Sequence, residues 1–552
     1  MPPLSACCTS DDGQVYLAAK YTWTMTDLIE AEVLILGCGI AGATTALRLA
    51  DQGIPVTIVT RSRETWESNT YYAQGGIIYR GLNDSPAALA EDITRAGAGH
   101  CNPRAVDILS HEGPEALRQV LLERVAVPFD RNDKDELSLV LEGGHTLPRI
   151  VHVADATGKS IEMALTRAIE SHPNITLLTG YTAVDLLTPS HHSLNRLAVY
   201  DPRACVGAYL YEQSSGCVFG CLAKETILAT GGLGQIFLRT SNPVGARGDG
   251  VAMADRAGAR VINMEYVQFH PTTFHQLNAP NFLISEAVRG AGARLVHADG
   301  EPFMQLYDPE WKDLAPRDVV ARSIHREMLV RDVQNVYLDL RSYIPEADIR
   351  DHFPTILKSC LSYGVDITTE LVPVVPAAHY ACGGVWVDEW ARTTVDHLYA
   401  VGEVSCTGLH GANRLASTSL LEGLVWGERA AGHIARRTQG TGHLPANLLI
   451  EADVVPPWRD DSLETPDPAL ISQDMTSIKS IMWNYVGLVR TTRRLQRALD
   501  DLYNLETEIV SFYRTSQLND SLIGLRNAIR VAVIVAHAAW ENGQSMGCHY
   551  RE

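Results

Sequence analysis

The stretch "AEVLILGCGIAGATTALRLADQGIPVTIVTR", residues 31–61, decides the fold. Residues 33–36 are a short apolar run with the composition of a strand buried on both faces. Gly37, Cys38, Gly39, Ile40, Ala41 and Gly42 follow. A helical pattern then runs to Asp51, and "PVTIVT" is a second apolar run. Strand, glycine-rich turn, helix and strand within about 30 residues make the unit that binds a dinucleotide. Gly37 permits the tight turn, Gly39 lets backbone approach a pyrophosphate, and Gly42 lets the helix pack closely on the strand. The helix N-terminus then faces the phosphates with its partial positive charge. A bare Gly-x-Gly-x-x-Gly is weak evidence; the strand before it and the helix after it make it specific. The second strand ends in Thr60-Arg61 rather than in an acid for the ribose. On these residues alone, an NADP enzyme and a flavoprotein both stay open.

Two later runs repeat the strand–glycine theme: "KETILATGG", ending at Gly232, and "HLYAVGE", ending at Glu403. The nucleotide domain is therefore expected to be assembled from distant segments, with something inserted between roughly 263 and 378. Past residue 450, Pro456, Pro457, Pro466 and Pro468 mark a linker. Two helical stretches are expected after it. Met482, Val486, Val489, Leu495, Leu499 and Leu502 fall on one face of the first. Leu522, Leu525, Ile529, Ala532 and Ala536 do so in the second, which points to a C-terminal antiparallel helical bundle.

At 552 residues the chain is too long for one compact core. Its net charge of −19 disfavours a nucleic-acid partner, which needs a basic footprint. The 11 cysteines form no Cys-x-x-Cys pair, and Cys217 and Cys221 lack further ligands at zinc spacing. Reduced, mostly buried thiols, no metal site and no iron–sulfur cluster are expected. No apolar run reaches the roughly 20 residues of a membrane span. The first 30 residues hold one basic side chain, Lys20, so they resemble neither a signal nor a transit peptide and are expected to be poorly ordered.

Four further stretches carry a specific likeness: "YYAQGGI" (71–77), "QFHPT" (268–272), "SEAVRGAGA" (285–293), and "HYACGGV" followed by "GLHGANRLASTSLLEGLV". With "LATGG" and "ARGDG" they resemble the succinate dehydrogenase / fumarate reductase flavoprotein superfamily, and within it the L-aspartate oxidase family, from about residue 31 to the C-terminus. The resemblance implies an α/β Rossmann-like FAD-binding domain (31–263 and 379–447), an inserted α+β capping domain (264–378), a C-terminal helical domain (448–552) and an N-terminal extension (1–30). It implies FAD contacts at Gly37 to Gly42 and at Arg61. Asn69, Thr70, Tyr71, Tyr72, Ala73, Gln74, Gly75, Gly76, Asp249, Glu403, Ser419 and Leu420 complete the set. Arg61 is what this family places there, so the missing acid no longer argues for NADP. Gly75 and Gly76 are expected to lie against the flavin.

A small dicarboxylate needs cationic and hydrogen-bonding groups from two sides, and the planar fork of arginine suits it best. By resemblance these are His270, Ser285, Glu286, His379 and Arg414, with Arg317 over the substrate carbons and His270, Glu286 and Arg317 in catalytic roles. The implied reaction is hydride transfer from Cα of L-aspartate to FAD, giving iminoaspartate for NAD biosynthesis, with oxygen or fumarate as electron acceptor. Orientation and charge roles for Arg317 follow from its chemistry. A proton-transfer role is taken from the family, because arginine is almost never a base at neutral pH. The resemblance further implies a cytoplasmic enzyme, a monomer or weak homodimer, with no membrane and with transient contact to quinolinate synthase.

Two features separate the oxidases from the respiratory flavoproteins. By resemblance, Glu142 in "LEGGHT" is the carboxylate expected to pair with the ammonium that succinate lacks. Asn69 stands four residues before Ala73-Gln-Gly-Gly, where respiratory relatives carry a histidine bonded to the flavin, so noncovalent FAD is expected. The tail "QSMGCHYR" departs from the superfamily's usual "ESRG.H" at Met546 and Cys548, which puts its packing in doubt. A respiratory flavoprotein subunit and a flavin-containing tRNA-modifying protein are the competing classes. The charge, "HPT" and "GANR" weigh against the second.

Overall fold

The computed structural model describes residues 28–193, 196–276, 279, 282–437, 458 and 464–552. The extension before residue 28, and Pro456 and Pro457 of the linker, lie outside the described residues.

The fingerprint stretch folds as strand Ile29–Leu36, helix Ile40–Ala50 and strand Val56–Thr60. Val33 to Leu36 are buried, as is every residue of the second strand. They pair in parallel, Val33 with Val56 and Leu36 with Val59. On its other edge the first strand pairs in parallel with Val218–Leu228, the "KETIL" run. That long strand serves two neighbours. Its N-terminal half forms a hairpin with Gly207–Glu212, and its C-terminal half pairs in parallel with Leu398–Ala400, which arrives from beyond the insertion. Chain segments far apart in sequence thus build one seven-stranded sheet. Helix Ser419–Arg437 covers the fingerprint helix, with the Thr45 hydroxyl donating to the Gly427 carbonyl at 3.3 Å.

Two strands lead into and out of the insertion: Val267–Phe274 and Val372–Ala381, paired antiparallel. The register slips between His270 and Thr273. Pro271 lies in that gap and has no N–H to give the ladder, so the strand bulges where its side chains must be re-aimed. Strands Arg294–Val296 and Val336–Asp339 complete this sheet, and helix Arg317–Arg331 packs on it. A separate apolar cluster, including Phe274, Leu295, Phe303, Ile324 and Leu338, fills its interior.

The C-terminal region holds three helices rather than the two expected: Pro468–Tyr485, Thr492–Thr515 and Asp520–Glu541. The apolar face from Met482 to Leu502 is interrupted. The helix stops at Tyr485, and Thr491 caps a new one by accepting from Arg494 N–H at 3.2 Å. Val486 and Leu495 are both fully buried, so the apolar spacing continues across the break. Asp520–Glu541 is long and apolar enough to cross a membrane by length and composition. Here it is packed inside the protein, and its charges Arg526 and Arg530 pair with Asp185 and Asp255 at 2.7 Å each.

All nine described cysteines are free thiols, seven of them buried. Among the described residues no group of histidine, cysteine and acidic side chains could hold a metal.

Candidate active site

One continuous cavity runs from the fingerprint turn to the base of the insertion. At the first end the N-terminus of helix Ile40–Ala50 is open: Gly39 gives no side-chain cap, and the first turn has no acid. Its unsatisfied N–H groups and dipole suit a phosphate. Thr70 steadies the turn by accepting from Ile40 N–H at 3.0 Å. Arg61 and Asp249 line this end and are held by the C-terminal helix. Arg61 pairs with Asp520 at 3.2 Å, and Asn527 donates to Asp249 at 2.8 Å.

Loop 69–76 forms one wall. Asn69 donates to the buried Glu403 carboxylate at 2.7 Å, and the Ala381 N–H donates to its other oxygen at 3.1 Å. Burial pushes the Glu403 carboxyl up to about 7, with those two donors pulling in the opposite direction. Gly76 needs to be glycine for a reason inside the protein: a Cβ there would lie 2.2 Å from Ile150 Cγ2 and 2.4 Å from the Val151 carbonyl. Gly75 instead faces Glu142, whose Oε1 also accepts from Gly76 N–H at 3.2 Å. Two expected contacts are absent from the wall. Gly42 packs the helix onto the turn, where a Cβ would meet the Gly37 carbonyl at 2.3 Å. Tyr71 packs against Trp66 with tilted rings, 4.5 Å between centroids. The other residues expected at the cofactor, including Cys38, Tyr72, Ser419 and Leu420, line the cavity.

The second end gathers the charged residues. Helix Arg317–Arg331 starts with Arg317, so that guanidinium sits at a helix tip. Its Nε donates to Glu286 Oε2 at 2.7 Å and its Nη1 to Gln268 Oε1 at 3.4 Å. Arg414 Nη2 donates to the same Gln268 oxygen at 3.2 Å, and its Nη1 to Ser419 at 3.0 Å. Two cations therefore converge on one neutral amide. Arg414 Nε, fully buried, has no partner. His270 and His379 meet edge to face at 5.3 Å, and Ser241 and His379 Nδ1 lie 2.8 Å apart. Burial first, then nearby arginine charges, push both imidazoles well below their ordinary value, so both are neutral at pH 7. His270 Nδ1 lies 3.2 Å from both the N–H and the carbonyl of Thr272. Ser285 caps the short helix that carries Glu286. Glu286 Oε1 lies over Gly143, where any Cβ would be 2.0 Å away. Glu142, which also lines the cavity, accepts from Ser417 at 2.5 Å.

All seven residues expected at the substrate line this end. Gln268, Arg289 and Ser241 were not singled out. The first two lie inside the motifs "QFHPT" and "SEAVRG" quoted for their neighbours. Ser241 carries no local signal and reaches the cavity only through the fold.

The donors suit FAD. The uncapped helix tip can take a pyrophosphate, and Gln74 Oε1, Thr230 Oγ1 and Asn242 Oδ1 are cavity-wall oxygens buried without partners. A long polar ligand would satisfy them. Residues 32–420 match the family model described as FAD binding domain. Residues 475–552 match that described as fumarate reductase flavoprotein C-term. The chain is 43% identical over 523 residues to L-aspartate oxidase 1 of Ralstonia nicotianae, covering 94% of each. It is 42% identical to the L-aspartate oxidase of Halobacterium salinarum, covering 96% of this chain and 97% of that one. The chain belongs to the L-aspartate oxidase family. Solved structures place that family in its wider group. The FrdA chain of E. coli quinol fumarate reductase matches with TM-score 0.83 and 27% identity, over 95% of this chain and 91% of that one. Sdh1 of Mycobacterium smegmatis matches with TM-score 0.76 and 30% identity, over 95% and 89%. As in those flavoprotein chains, the fold joins an FAD-binding domain, a capping domain and a helical C-terminal domain.

Proposed function

We propose that the chain oxidises L-aspartate to iminoaspartate with noncovalent FAD, at the start of NAD biosynthesis in the cytoplasm, with fumarate or oxygen as the final acceptor. The observation that carries this is the convergence of Arg317 and Arg414 on Gln268, in a cavity that Glu142 also lines. Two guanidiniums meeting on a neutral amide suit two carboxylates. A carboxylate in the same cavity takes an ammonium.

FAD, when bound, supplies the hydride acceptor. The chain orients the substrate. Arg414 binds one carboxylate, with the neutral His270 and His379 rings beside it. Arg317 lies at the reacting carbons. It is bonded through Nε to Glu286, so in fumarate reduction an Nη proton given to the substrate carbon would be replaced from water by way of the Glu286 carboxylate, which ends as an anion again. Burial raises the Glu286 carboxyl, but Arg317 and Arg289 more than offset that and hold it low, so it rests as an anion. Glu142 fixes the amine end. Transient delivery of iminoaspartate to quinolinate synthase, and a monomeric or weakly dimeric state, complete the proposal.

The test is anaerobic mixing of the purified, FAD-loaded protein with L-aspartate or with succinate. Bleaching of the flavin by aspartate is expected. Bleaching by succinate alone would instead assign a respiratory flavoprotein subunit.

A further inference from the structure

The last residues of the chain touch both arginine-bearing elements. Cys548 N–H donates to the Ala412 carbonyl at 2.9 Å, and Cys548 Sγ lies 3.1 Å from Asn413 Oδ1. Asn413 Oδ1 also accepts from Gln268 Nε2 at 2.7 Å, and Gln268 is the amide on which Arg317 and Arg414 converge. On the other side, Arg322 lies on the helix that Arg317 begins. Its Nη1 reaches the Gly547 carbonyl at 3.5 Å, and its guanidinium lies 4.8 Å over the Tyr550 ring. Asp318, one turn back, holds the same guanidinium at 2.8 Å.

The tail is itself fastened. Arg490 is fully buried, bonds His549 Nδ1 at 2.5 Å, and pairs its backbone with residues 550 and 552. Arg551 donates to the Trp540 and Asn542 carbonyls at 3.0 and 2.8 Å. Met546 packs against Tyr266, Tyr380, Cys382 and Ala412 in a small apolar cluster. The departure from the superfamily's tail pattern therefore leaves the tail anchored, by Arg490 and Arg551 rather than by a side chain at position 546.

We propose that the tail, residues 546–551, is a positioning element for the reaction, setting Arg414 through Asn413 and Gln268 and setting the Arg317 helix through Arg322. The two guanidiniums repel each other until a dicarboxylate lies between them. A rigid frame that holds both before substrate arrives lowers the ordering cost of binding. The tail joins the two halves of that frame, because one six-residue segment contacts the loop of one arginine and the helix of the other. Tyr550 gives the Arg317 helix a face contact through Arg322.

This rests on the reading that Arg317 and Arg414 bind the substrate carboxylates. The test uses full-length, FAD-loaded protein carrying Asn413→Leu, Arg322→Met or Arg322→Lys. Three quantities are measured: KM and kcat for L-aspartate, the Kd of succinate by flavin absorbance, and the Kd of FAD. Asn413→Leu and Arg322→Met are expected to raise KM and the succinate Kd about tenfold, with FAD affinity within about twofold of wild type. Arg322→Lys should recover part of the loss. Unchanged KM and succinate Kd in both variants would overturn the proposal. So would a parallel loss of FAD, which marks a purely structural role. Failure of the wild-type protein to oxidise aspartate would instead sink the functional reading.

Discussion

Arg317 Nε lies 2.7 Å from Glu286 Oε2, and Arg289 Nη2 approaches the same oxygen at 3.9 Å from the buried side. Cation, anion and cation stand in a row that ends at the cavity. Arg289 is fully buried, and its Nε and Nη2 lack any hydrogen-bond partner. Such a group is costly unless its charge serves the ion beside it. Glu286→Gln keeps the shape and removes the anion. Flavin reduction by aspartate and fumarate reduction should both slow by about 10²- to 10⁴-fold, the usual range for a lost proton-transfer group. Succinate binding should change little. Stopped-flow absorbance at the flavin band checks both.

Glu142 discriminates between substrates rather than between reactions. Its carboxylate accepts from Gly76 N–H and Ser417 Oγ–H and faces the cavity. Glu142→Gln should cost aspartate oxidation about 10- to 100-fold, the worth of a charge-assisted hydrogen bond. Fumarate reduction, whose substrate has no amine, should survive largely intact. Equal losses in both assays would remove Glu142 from the amine.

Asn69 is an amide bonded to Glu403 at 2.7 Å. Acid precipitation should release the yellow colour into the supernatant, and a coloured pellet would overturn noncovalent binding. Asn69→Ala should also weaken FAD, because it removes one of the two donors that hold the Glu403 carboxyl in the wall.

Glu403 gives the apoprotein a pH signature. Its folded carboxyl keeps a proton to about pH 7, against an ordinary value of 4.5. Across that window the folded state binds more protons than the unfolded chain. Stability therefore falls as pH rises from about 4.5 to about 7 and is flat above it. The full change is about 3 kcal/mol. Urea unfolding of apoprotein at several pH values should show this slope, and Glu403→Gln should flatten it.

The fold was most legible where the signal is local. The fingerprint run encodes its strand, turn and helix in spacing alone, and the buried runs ending at Gly232 and Glu403 carry the same signature. The arginines and histidines of the site came from motifs. Their convergence did not, because it depends on a bulge at Pro271 and on strands from opposite ends of the insertion. The helix break before Thr491 was hidden because the apolar face continues across it: Val486 and Leu495 are both buried, although residues 486–491 are not helical. Which side chains of the loop at Tyr71 face the cavity could not be read, because a loop's side chains alternate without a period. Contacts between distant residues were invisible for the same reason, and one of them bears on closure of the site.

Asp155 lies just before helix Thr157–Ser171 of the nucleotide-binding part. Its Oδ2 accepts from Thr355 N–H at 2.8 Å and from Ile356 N–H at 3.0 Å. Those are the first turn of helix Pro354–Ser362, which belongs to the insertion and whose own N-cap, Phe353, offers no side-chain bond. The capping acid is thus supplied across the junction, and the bond exists only while the insertion is seated. An N-cap contributes about 0.5 to 2 kcal/mol. Asp155→Ala should shift the insertion towards an open state by about 2- to 30-fold, raising KM for aspartate while leaving the FAD Kd and overall melting temperature nearly unchanged. Asp155→Asn, which keeps an acceptor oxygen, should lie between. Proteolysis at the junction, with and without succinate, reads the opening directly. Equal cleavage of the wild type and Asp155→Ala would show that the seat is held elsewhere.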